Sequence, residues 1–92
     1  RTFTAPATLV NSNNFGGSLY PTLGLALEAA CEQWLGDYYA ETGRGAAALT
    51  AEMLTDGWLK LDRDASPDDE GAEVEVSTVE AAMGRVLARI AG

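Results

Sequence analysis

The chain of 92 residues has the length of one domain. Fourteen acidic residues against six basic ones give a formal net charge of −8, which excludes nucleic-acid binding through a broad basic face. The absence of histidine and the presence of a single cysteine exclude, within these residues, a Ser-His or Cys-His catalytic pair, an intrachain disulfide and a zinc site built from several cysteines.

Membrane insertion is not expected from the hydropathy of the chain. The most apolar stretch, residues 19–35, is not the uninterrupted apolar run of a membrane span, because proline, glycine and charged or amide side chains break it at Pro21, Gly24, Glu28, Glu32 and Gln33. One unpaired thiol is typical of a reducing compartment. We therefore expect a cytoplasmic protein with no membrane partner.

Residues 1–20 are predicted to form an extended arm followed by a loop rich in glycine and asparagine. The first ten residues favour a strand, but Pro6 cannot donate to a ladder, so an edge strand, a broken strand or an extended arm are all open. Residues 11–18 contain asparagines and glycines, which adopt left-handed backbone easily. We expect a loop there.

Residues 21–56 are predicted to form a helical hairpin. The first helix begins near Pro21 and ends at Thr42, with Gly43 as a left-handed cap. Its apolar residues recur every three or four positions and form one stripe, made of Leu23, Leu27, Ala30, Cys31, Trp34 and Tyr38. A second helix is expected over residues 46–55, with Leu49 and Met53 on one face and Gly57 at its end.

Residues 58–76 are predicted to form an acidic β-hairpin. Apolar and charged residues alternate over residues 58–63 and again over residues 72–76, where Val74 and Val76 share one face. Ser77 and Glu80 then have the spacing of a capping box, which predicts a last helix over residues 78–91. Val79, Met83, Val86 and Ile90 follow at helical spacing on its apolar face.

The predicted fold class is therefore α+β. Residues 1–92 form one small domain in which the helical hairpin and the C-terminal helix pack on a short antiparallel sheet. The second helix of the hairpin carries Glu52 and Asp56 and no basic residue, so it is not a DNA-recognition helix.

Seven of the fourteen acids fall within residues 62–75, opposed there only by Arg63. We call these seven the acidic patch: Asp62, Asp64, Asp68, Asp69, Glu70, Glu73 and Glu75. Such a cluster is either a solubilising loop or a surface that meets a basic partner. Tyr38 and Tyr39 point about 100° apart on the helix, so one is expected to be buried. The other is a candidate aromatic contact beside Glu28 and Glu32; we assign this role to Tyr39.

The same segment partly matches a calcium-binding loop. Oxygen-bearing side chains occupy positions 1, 3, 5, 7, 9 and 12 of such a loop over residues 62–73. Pro67 stands where the sharp turn needs glycine, and Asp69 stands where an apolar residue is usual. We therefore predict no metal site.

The leading functional hypothesis is a non-enzymatic protein-interaction module that docks on a basic partner surface. Its extreme form is a nucleic-acid mimic, an inhibitor encoded by a phage or mobile element of the anti-CRISPR or anti-restriction kind. The alternative is a small accessory or antitoxin-like subunit, or a homodimer, that binds through an apolar face. An enzyme would need a cleft and perturbed carboxylates, so we predict no catalytic residue, no cofactor and no direct binding of nucleic acid.

Overall fold

The computed structural model describes residues 2–56 and 70–91. Within these residues the chain forms two two-stranded antiparallel sheets and four helices. The elements in chain order are β1 (Thr2–Ala5), α1 (Ala7–Ser12), β2 (Asn14–Phe15), β3 (Ser18–Leu19), α2 (Leu23–Thr42), α3 (Ala46–Asp56), β4 (Ala72–Glu75) and α4 (Val76–Ala91). The helices pack on the β1–β4 sheet, which confirms the α+β class.

The first sheet joins the two halves of the chain, because β1 pairs with β4. Thr2 lies opposite Glu75, and Thr4 lies opposite Glu73. Val74 is buried while Glu73 and Glu75 are exposed, so the predicted alternation is confirmed within β4. The strand ends at Glu75, one residue before the predicted end, and the buried Val76 is the first residue of α4. The strand predicted over residues 58–63 lies outside the described residues, and so does most of the predicted acidic hairpin.

The prediction for the N-terminal arm is correct only for its first residues. Residues 7–12 form helix α1 instead of continuing as an extended arm and a loop. Pro6 precedes the first turn, where proline is well tolerated, and Asn13 closes the helix in left-handed conformation (φ 51°) by donating its N–H to the carbonyl of Thr8. Burial of Leu9 in the core outweighs the strand preference of the surrounding residues.

The predicted glycine and asparagine loop contains a tight hairpin. β2 and β3 are joined by Gly16 and Gly17, both with positive φ (62° and 83°). A loop of two consecutive residues with positive φ matches the twist of the flanking strands, which is why such loops commonly join the two strands of a tight hairpin. The hairpin turns Phe15 into the core.

Helix α2 supplies the centre of the core. The Thr22 hydroxyl caps its first turn by accepting from the N–H of Leu25 (3.2 Å), and Gly43 ends the helix at φ 70° by donating to the carbonyl of Tyr39 (2.8 Å). The predicted end and cap are therefore confirmed, and the start is at Leu23, two residues after Pro21. The predicted stripe is buried from Leu27 to Tyr38, with Leu23 half-buried.

The other two long helices complete the core. Leu49 and Met53 of α3 are buried on one face, as predicted. Helix α4 begins at Val76, so Ser77 lies inside the first turn and the predicted capping box is wrong. Val79, Met83 and Val86 are buried, but Ile90 is 66% exposed. The apolar stripe of α4 therefore continues past the end of the core.

Candidate functional site

The described part of the acidic patch lies on β4 and just before it. Glu70, Glu73 and Glu75 are exposed. Glu73 and Glu75 are two residues apart on one strand, so they leave the same face of the sheet at points about 6.6–6.8 Å apart. The remaining members, Asp62, Asp64, Asp68 and Asp69, lie outside the described residues.

The arginines of α4 are bound to carboxylates of α2. Arg85 donates from Nε to Glu28 Oε2 at 2.9 Å, and Arg89 donates from Nη1 to Glu28 Oε1. Arg89 also donates from Nη2 to Glu32 Oε2 at 3.3 Å. Glu28 is buried, whereas both guanidinium groups are half-exposed. One buried carboxylate thus holds two cations between the helices.

This ion cluster shifts the titration of its members. Hydrogen bonds from Arg89 and Arg85 lower the pKa of Glu28 and outweigh the opposing effect of burial. The hydrogen bond with Glu28 likewise raises the pKa of Arg89. Both shifts favour the charged forms of Glu28 and Arg89, so the pair stays ionised throughout the neutral range.

Sequence reasoning missed this cluster and placed Glu28 at the surface beside Tyr39. The structure corrects that placement, because Glu28 is buried against α4. A signal was present in the spacing: Glu28 and Glu32 are four residues apart, and so are Arg85 and Arg89. Equal spacings of opposite charge on two helices allow the pairs to match when the helices lie side by side.

The cluster leaves the described surface strongly acidic. Among the described residues the cations are Arg44, Arg85 and Arg89, and the last two are engaged by Glu28. Carboxylates of the same part of the chain are exposed on several elements, at Glu32, Glu41, Glu70, Glu73, Glu75 and Glu80. The field around the described surface is therefore set by carboxylates.

Tyr39 lies in an apolar groove between α2 and α4. The tyrosine is 63% exposed while Tyr38 is buried, so the prediction that the two would differ is confirmed. Leu35 and Tyr39 of α2 face Leu87 and Ile90 of α4 across a groove of about 400 Å³. We call this the Tyr39 groove. Glu32 lines one part of it, and the start of α3 closes another.

Three further side chains of chemical interest, those of Cys31, Tyr38 and Trp34, are buried in the core. Burial raises the pKa of the Cys31 thiol to about 12, so it is protonated and behaves as a small apolar residue. Burial also raises the pKa of Tyr38, and the neighbouring Glu52 carboxylate adds to that shift. Trp34 is buried in edge-on contact with Phe15.

The described residues contain neither a metal-binding cluster nor a membrane-spanning helix. No group of three or more cysteine, aspartate or glutamate side chains there is arranged to hold a metal ion. No helix in residues 2–56 or 70–91 combines the length and the apolar character needed to cross a bilayer.

Comparison with known proteins gives no relative for this chain. No protein-family model, no curated protein and no solved structure matches it. Its function has to be argued from the acidic patch, the ion cluster and the Tyr39 groove.

Proposed function

We propose that this protein is a non-enzymatic interaction module that docks on the basic surface of a partner protein through the acidic patch. The observation that carries the proposal is the contrast between β4 and α4. The carboxylates of Glu70, Glu73 and Glu75 are exposed on β4 and just before it, whereas the guanidinium groups of Arg85 and Arg89 on α4 are paired with Glu28. The exposed charge of this part of the protein is therefore mainly negative, which supports docking on a basic surface.

Clustered carboxylates have an energetic cost in the free protein, because like charges repel one another. Opposite charge on a partner removes this repulsion and accelerates association. Pairing of β4 with β1 also fixes the backbone that carries Glu73 and Glu75, so no backbone ordering is needed at these positions when a partner binds. In its extreme form the proposal is nucleic-acid mimicry, in which the protein occupies the nucleic-acid groove of a phage-defence effector.

The test compares two variants of equal charge. Glu73→Gln/Glu75→Gln and Asp37→Asn/Glu41→Gln each remove two negative charges, the first pair from the acidic patch and the second pair from α2. Immobilised wild-type protein and both variants are used to capture proteins from the native host at low ionic strength. We expect a basic protein that is retained by the wild type and by the α2 variant and is depleted on the β4 variant.

Kinetics with that captured protein then decide the mechanism. The β4 variant is expected to associate more slowly and to show a flatter salt dependence than the α2 variant. Equal association rates for the two variants would refute docking through the acidic patch. Displacement of a labelled DNA or RNA duplex from the captured protein tests the mimicry form directly.

A second candidate function rests on the Tyr39 groove. An accessory or antitoxin-like subunit, or a homodimer, would bury this apolar face, and its binding would change little with salt. Ionic strength therefore separates the two candidates. For both functions we propose a cytoplasmic location. This is supported by the single cysteine of the chain, Cys31, which is a free thiol, as is typical of proteins in a reducing compartment.

A further inference from the structure

We infer that the Tyr39 groove binds an amphipathic helix of the partner, with large apolar side chains on one face and lysine or arginine beside them. This inference rests on the proposed function, because it takes the partner to be basic. It adds an apolar anchoring site to the electrostatic surface and assigns that site to α2 and α4.

The groove has the composition of an anchoring site. Tyr39 and Ile90 are each more than 60% exposed, and Leu87 is 38% exposed, although all three are large apolar residues. They line one continuous groove with Leu35, which packs on the core beneath. Contiguous exposed apolar surface of this kind marks a binding region, and aromatic residues are enriched in such regions.

The shape of the groove favours a helix as the occupant. Its two walls are the helices α2 and α4, and a third helix fits between two neighbours by placing its side-chain ridges in their groove. Gly36 lines the groove, and a β-carbon built on it would meet nothing within 4 Å. The backbone of α2 is therefore open to close approach at this point.

The charges around the groove favour a basic occupant over a second copy of this chain. Glu32 lines the groove, and the nearby Arg89 is already bound by Glu28 and Glu32. Two copies would bring net charges of −8 together, whereas lysine or arginine beside the apolar face of a partner helix would be attracted by that net negative charge. The net charge of the chain thus favours a basic partner over a second copy.

The test uses three short peptides as probes, observed by backbone amide NMR of the full chain. The first has leucines at helical spacing with lysine on the other positions, the second replaces lysine with glutamate, and the third replaces leucine with serine. We expect the leucine–lysine peptide to produce saturable shifts centred on Tyr39, Leu87 and Ile90. We expect neither of the other two peptides to saturate these resonances.

Two matched variants locate the binding. Ile90→Ser removes an apolar side chain from the groove, and Leu19→Ser removes one that is 75% exposed on the β2–β3 hairpin. Ile90→Ser is expected to weaken binding of the leucine–lysine peptide about tenfold, the effect of losing roughly one buried aliphatic contact. Leu19→Ser is expected to leave it unchanged. Equal effects of the two variants would overturn the inference.

The peptides also separate this inference from the proposed function. If the serine–lysine peptide binds as well as the leucine–lysine peptide and shifts Glu73 and Glu75, the groove inference fails while electrostatic docking stands. If the leucine–glutamate peptide binds the groove equally well, the requirement for a basic partner fails. A dimer seen by sedimentation and dissociated by Ile90→Ser would assign the groove to a second copy, which overturns the inference.

Discussion

Replacing Trp34 with alanine is expected to remove a large fraction of the free energy of unfolding. Trp34 is 2% exposed and lies at the middle of the buried stripe of α2. Its ring meets Phe15 edge-on, with 5.7 Å between ring centroids and 84° between planes. The substitution therefore removes a large apolar side chain and the contact that attaches the β2–β3 hairpin to α2.

The magnitude follows from burial. Truncating a fully buried aromatic residue to alanine costs about 3–5 kcal/mol, and a lost edge-on aromatic contact places Trp34 in the upper part of that range. A domain of this length has a total stability of about 5–14 kcal/mol. Each kcal/mol corresponds to roughly 4–8 °C in a domain this small, so the unfolding temperature should fall by about 12–40 °C.

Circular dichroism during heating measures the fall in unfolding temperature. A second variant of the same helix controls for the effect of removing any aromatic ring from α2. Tyr39→Ala also removes an aromatic ring from α2, but the ring is exposed, so its effect should stay within about 0.5 kcal/mol. A shift of only a degree or two for Trp34→Ala, or equal shifts for the two variants, would mean that Trp34 is not packed as described.

Four other outcomes are expected. Because Glu28 has a lowered pKa in the folded state, the stability it contributes is present above the ordinary carboxyl pKa and is lost as pH falls through the lowered pKa. The unfolding temperature of Glu28→Gln should therefore fall less than that of the wild type when the pH is lowered into the acid range. Gly43→Ala should destabilise the protein by about 1 kcal/mol because its φ is 70°, and Gly84→Ala, inside α4 with open space around it, should stabilise it by a similar amount, as measured by urea unfolding. The Cys31 thiol should react with a disulfide reagent only after denaturation, and fast reaction of the native protein would contradict its burial. Calcium in millimolar excess should give no saturable heat in calorimetry, because Pro67 cannot make the required loop turn; one-to-one binding at micromolar affinity would show that prediction to be wrong.

The long helices could be predicted from local sequence alone. The buried stripe of α2 is predicted by apolar residues that recur three or four positions apart, and its C-terminal end is predicted by one glycine that forms a left-handed cap. The same holds for Leu49 and Met53 in α3 and for the alternation around Val74 in β4. The division between Tyr38 and Tyr39 also follows from helix geometry, since adjacent residues on a helix point about 100° apart.

The site depended on contacts between distant parts of the chain. No local pattern predicts that β4 pairs with β1 or that burial of Leu9 stabilises helix α1. Nor does a local pattern predict that Ile90 lies beyond the core. Whether Glu28 is a surface carboxylate or a buried one is decided by Arg85 and Arg89, which are more than fifty residues away along the chain. Composition and periodicity determined the class of fold, the acidic character and the main core residues, because these are properties of the residues and their spacing. Only the packing of α2 on α4 decided which charges are neutralised and which apolar side chains are left in a groove, because burial depends on what lies across the interface.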